Sequence, residues 1–88
     1  MKEGKTSTGF DFVIDENKAD DWELLKKFRR IDRGEQGLVV DVAEELLGID
    51  QLDKLEQHLK ELNGRVSITG MLGEISEILG GESTVKNS

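Results

Sequence analysis

Leu46-Leu47-Gly48-Ile49-Asp50-Gln51 holds a helix stop and a helix start in six residues. Glycine reaches the left-handed backbone that ends a helix without steric cost, and an acid just beyond it suits the opening of the next one. Asp53 stands three residues after Asp50, where a capping box places its acid, so Asp50 is the expected cap. Upstream, Leu38, Val39, Val42, Ala43, Leu46 and Leu47 recur on one side of a helix over residues 38 to 47. Downstream, Leu52, Leu55, Leu59 and Leu62 form a narrow apolar seam that Asn63-Gly64 closes with turn chemistry.

Working outward, Asn17 or Asp20 can cap a first helix reaching about Asp32, with Leu24, Leu25, Phe28 and Ile31 in one broad apolar sector and Trp22 at its edge. Arg33-Gly34-Glu35-Gln36-Gly37 breaks that pattern. At the other end Ser67 can cap a last helix carrying Ile68, Met71, Leu72, Ile75, Ile78 and Leu79 until Gly80-Gly81 stops it. Gly70 and Gly73 lie inside that helix, each costing about 1 kcal/mol relative to Ala. Phe10, Phe12 and Ile14 alternate with Asp11, Val13 and Asp15, the period of a short strand. Its expected partner is Arg65-Val66-Ser67. The fold class is therefore mainly α with a minor β part: four short helices and a two-stranded ribbon from residues near 10-14 and 65-67. Residues 1-8 are expected to be a flexible N-terminus, 9-80 a single helical domain and 81-88 a flexible tail.

Eighty-eight residues bury too little surface for two cores, and with 35% hydrophobic residues and no Cys the one core depends on packing alone. Oligomerisation or partner binding would stabilise it. The absence of Cys fits a reducing cytoplasm, and no apolar run approaches the roughly 18 residues that cross a bilayer. No membrane association and no secretion are expected.

Nineteen acidic against twelve basic side chains give a net charge of −7, which opposes a broad nucleic-acid surface. Lys26, Lys27, Arg29, Arg30 and Arg33 are the local exception and the candidate phosphate-binding residues. The plainer reading is that they complement the C-terminal end of a helix opened by Asp20, Asp21 and Glu23, with Glu23 and Lys27 as an i,i+4 pair.

Catalytic chemistry finds little material. There is one His, no Cys and no Tyr, and no phosphate loop, nucleophile elbow or His-Glu-x-x-His run. His58 stands beside the Leu55 and Leu62 seam and cannot alone form a zinc site or a triad. Asn63-Gly64-Arg65-Val66-Ser67 has the look of a calcium loop, but Leu59 and Gly70 fall where ligand oxygens must be. Leu47-Gly48-Ile49-Asp50-Gln51 looks like the attachment site of acyl carrier proteins, yet Gln51 stands where the modified serine belongs and offers no hydroxyl. No enzyme, cofactor or metal is expected.

Five landmarks in order remain: Thr8-Gly9-Phe10-Asp11-Phe12, Asp20-Asp21-Trp22-Glu23-Leu24-Leu25, the Leu46 to Gln51 run, Asn63-Gly64-Arg65-Val66 and Lys86-Asn87-Ser88. Together they resemble the small tail assembly chaperones of long-tailed bacteriophages, a likeness that covers roughly residues 6 to 88. The basic run from Lys26 to Arg30 departs from the more acidic version of that pattern. The resemblance implies a non-enzymatic protein of the host bacterial cytoplasm, not retained in the mature virion, that binds the tape-measure protein and keeps it soluble. It also implies an extended form, made by programmed frameshifting near Lys86 and Asn87, that recruits the tail-tube protein. The candidate client groove is Trp22, Leu25, Phe28, Leu38, Val42 and Leu46, although for each position taken singly ordinary core packing is the plainer reading. The rival function is a small phage-encoded DNA-binding regulator using the basic stretch 26-33.

Overall fold

The joint at Gly48 organises the molecule. In the computed structural model, which describes residues 1 to 80, Gly48 adopts φ 80° and ψ 161°. Its N–H donates to Glu44 O at 2.9 Å and its C=O accepts from Leu52 N at 3.0 Å, so one residue ends α3 (Leu38–Leu47) and begins α4 (Ile49–Asn63). Asp50 is therefore in the first turn of α4 and not its cap, a correction to the expected boundary: the glycine leaves no room for a separate capping residue. Gln51 reinforces the joint by donating from Nε2 to Leu47 O at 3.0 Å.

Before α3 lie α1 (Glu16–Ala19) and α2 (Trp22–Asp32), where a single helix was expected. Two aspartates explain the break. Asp15 accepts from Asn17 N and Asp21 from Glu23 N, so each opens its own helix, and the chain turns between them at Asp20. The α2 apolar stripe is narrower than expected. At about 100° per residue Leu24, Phe28 and Ile31 cluster while Leu25 falls to one side; Leu24 and Ile31 are buried, Phe28 is half-buried and Leu25 is exposed.

After α4, Gly64 is left-handed at φ 83° and Ser67 caps α5 (Ile68–Ile78) by accepting from Gly70 N at 2.9 Å. Among the described residues there are thus five helices, and none is long and apolar enough to cross a membrane. Helix α3 lies against α1, α2, α4 and α5, and its Val39, Val42, Ala43, Leu46 and Leu47 are all buried. The most enclosed side chains, Ile14, Val42, Leu55, Leu59, Ile75 and Ile78, belong to one buried cluster with these residues.

The ribbon exists, with a different partner. Phe12 and Ile14 of β2 (Asp11–Ile14) are buried as the alternation requires, but β2 pairs antiparallel with β1 (Lys2–Lys5), from Lys2 opposite Ile14 to Lys5 opposite Asp11. Arg65-Val66-Ser67 contributes no strand, and Lys2–Lys5, inside the N-terminal segment 1-8, forms the other strand of the hairpin. Joining neighbours through a short turn costs less loop entropy than joining segments some fifty residues apart. The turn is built on Gly9 at φ 95° and on Thr6, whose N–H donates to Phe10 O and whose C=O accepts from Gly9 N. The tail at 81-88, with Lys86 and Asn87, lies outside the described residues.

Candidate functional site

The six residues of the expected groove do not share one surface. Trp22 and Leu25 on α2 are 70% and 58% exposed, whereas Val42 and Leu46 on α3 are 0% and 3% exposed. Phe28 and Leu38 are half-buried against the core. Val42 and Leu46 are thus core residues and cannot line a client groove, because the neighbouring elements enclose the stripe of α3 on which they stand. Trp22 and Leu25 remain as an apolar pair facing solvent.

An apolar groove does open elsewhere, on the side of α3 that meets the start of α5. It is a concavity of about 290 Å³ with Val39 and Met71 buried at its base and the more exposed Val40, Val66 and Ile68 around it, next to Glu56 of α4. Val40 stands off the buried stripe of its helix, Val66 lies in a linker and Ile68 is the first residue of α5. An apolar residue outside a periodic stripe was the available signal, and periodicity alone passes over it.

The basic stretch divides. Lys26, Arg29, Arg30 and Arg33 line one concavity of about 270 Å³, while Lys27 turns the other way and reaches Glu45 Oε1 at 2.6 Å, tying α2 to α3. The expected Glu23–Lys27 pair is replaced by Glu23–Lys26 at 3.7 Å. Arg30 makes a forked contact with Glu35, Nε to Oε2 at 3.1 Å and Nη2 to Oε1 at 2.8 Å. This hydrogen-bonded guanidinium holds the Glu35 carboxyl below the usual carboxylate range, and Glu35 in turn raises Arg30. Lys27 is raised by its hydrogen bond to Glu45. Among the described residues no ion pair joins Arg29 or Arg33, so the positive concavity keeps some of its charge.

A polar cluster that sequence reasoning missed lies at the hairpin turn. Glu74 of α5 is 3% exposed; its Oε2 accepts from Thr8 Oγ1 at 2.9 Å, and its Oε1 has no hydrogen-bond partner among the described residues. Thr8 Oγ1 is also 3.1 Å from His58 Nε2 and 3.1 Å from Thr6 Oγ1. The Phe10 ring sits 5.7 Å from the His58 ring. Acid and imidazole here meet the same hydroxyl, so the acid does not orient the imidazole as a nucleophile–base–acid relay requires. The cluster draws on the hairpin, α4 and α5 together, and no local spacing announces it.

No group of three metal-ligating side chains occurs among the described residues. Comparison of the chain with protein-family models, with curated proteins and with solved structures finds no match.

Proposed function

We propose that the chain is a non-enzymatic phage tail assembly chaperone that binds apolar helical segments of the tape-measure protein and keeps them soluble in the host cytoplasm. The observation that carries this reading is an open apolar groove, bordered by Val40, Val66 and Ile68, on a chain of net charge −7. A long client exposes apolar stripes before its tube closes around it; an acidic partner that covers them lends its charge to the complex. Trp22 and Leu25 offer a second apolar contact on α2. The ordered landmarks from Thr8 to Ser88 supply the identity of the client.

Co-expression with a phage tape-measure protein tests the reading. The client stays in the soluble fraction with the chain present and pellets without it; equal pelleting in both cases overturns the proposal. The extended form, its recruitment of the tail-tube protein and self-association belong to the same proposal, and an interrupted adenine run at the codons for Lys86 and Asn87 counts against the first two.

One observation favours a second reading, the DNA-binding regulator: Lys26, Arg29, Arg30 and Arg33 line a common concavity. Four phosphate contacts would give a slope of log affinity against log salt on the order of −3 to −4. No binding to duplex DNA at low salt removes this alternative.

A further inference from the structure

The N-terminal hairpin is attached to the helices in two ways. Phe10, Phe12 and Ile14 lie in the core, whereas the turn between the strands is fastened from outside by α4 and α5. Strand β1 buries no side chain of its own and depends on its ladder with β2. The outer edge of β2 is closed by one side chain: Gln51 Oε1 accepts from Val13 N at 2.7 Å and Gln51 Nε2 donates to Val13 O at 2.9 Å.

The fastening at the turn has a definite order. Glu77 accepts at its two oxygens from Ser7 N and Ser7 Oγ, each at 2.7 Å. The Thr8 hydroxyl has one proton and gives it to Glu74, so its other neighbours must donate to it. One is Thr6 Oγ1, which itself accepts from Phe10 N at 3.2 Å; the other is His58 Nε2, which must then carry a hydrogen. Glu74 Oε1 lies at the end of this chain, buried and without a donor among the described residues. A buried polar network that is incompletely satisfied is a weak point in its surroundings.

We propose that the hairpin over residues 2 to 14 is a strap that opens as a unit ahead of the helices, with the Ser7-Thr8 turn and its contacts to Glu77, Glu74 and His58 as the latch. Opening bares Phe10, Phe12 and Ile14 together with the side of α3 on which β2 packs, so the latch sets how much apolar surface the molecule offers. The strap follows from these contacts alone and holds for any client.

Amide hydrogen exchange on the full chain, read residue by residue by NMR, tests it. Hairpin amides should exchange together and faster than those of Leu55 and Ile75, which report on the interior of α4 and α5. Glu77→Ala removes both acceptors for Ser7 and should speed hairpin exchange about tenfold; Leu55 and Ile75, which exchange through unfolding that also breaks this contact, should speed by no more than the same factor and stay the slower set. Glu77 is on the surface contact, so this variant keeps its core. In the wild type the His58 ring should carry its hydrogen on Nε2, and Thr8→Val should alter the Nε2 resonance. A single exchange rate for hairpin and helices, an unchanged hairpin rate in Glu77→Ala, or a His58 protonated only on Nδ1 would overturn the proposal.

Discussion

Gly4 shows how one missing side chain decides a contact. Its backbone is not left-handed, so the glycine is not needed for the turn of the chain; it is needed for room, because a Cβ at position 4 would sit 2.6 Å from the tip of the buried Phe12 ring. Gly4→Ala must shift that ring and should lower stability by about 1–3 kcal/mol, read from urea unfolding; an unchanged midpoint would mean the ring does not depend on the gap. Glu35 makes a different kind of test. Its carboxyl is held low by Arg30, so between its folded and unfolded values the unfolded chain binds the extra proton. The stabilisation is present above the ordinary carboxylate value and is lost as pH falls through the lowered folded one. Stability followed from pH 6 down to pH 3 should therefore fall less steeply in Glu35→Gln than in the wild type, and equal slopes would mean the Arg30 fork is not kept in solution.

At the scale of the element, α5 carries its own internal control. Ser67→Ala removes the cap to Gly70 N and should cost about 1 kcal/mol. Gly73 faces open space at the position a Cβ would take, so Gly73→Ala should raise stability by up to about 1 kcal/mol through helix propensity. Gly70→Ala should gain less than Gly73→Ala, since its Cβ would crowd Ser67 Oγ at 3.0 Å. Thermal unfolding of the three variants orders them, and a Gly70→Ala gain equal to that of Gly73→Ala would argue against the cap geometry. The same helix indicates what a sequence reveals. Ser67, Gly64 and Gly48 act through local backbone chemistry, so the ends of α3 and the start of α5 were legible from neighbouring residues alone. Strand β1 was not, because all four of its side chains are exposed and it has no alternation to read. The break at Asp20 was missed because Asp15 and Asp21 were each as good a cap as Asn17 or Asp20 on paper. The site was legible least. Val42 and Leu46 have the same apolar periodicity whether a neighbouring helix or a client covers them, and the Thr8, His58 and Glu74 cluster joins positions 50 and 66 residues apart.

At the scale of the whole molecule, the proposed function requires stability and client binding to separate onto different residues. Val40, Val66 and Ile68 are 56%, 39% and 50% exposed, so replacing Val66 and Ile68 by Ser should change stability little, within about 1 kcal/mol for the pair. If the groove is where an apolar client helix lies, the same pair of changes should send the tape-measure protein to the pellet on co-expression. Val42→Ala is the contrasting variant: it empties part of the core, should cost about 1–3 kcal/mol, and on the proposed function should affect the client only to the extent that the protein itself unfolds. Trp22→Ala distinguishes the two apolar surfaces, for it touches the α2 pair and leaves the groove intact. Loss of solubilisation in the groove variant with retention in Trp22→Ala assigns the client to the α3–α5 side, and the reverse assigns it to α2. Full retention in both variants, with the wild type solubilising, would mean that neither surface carries the client, and the acidic charge would then be acting without an apolar grip.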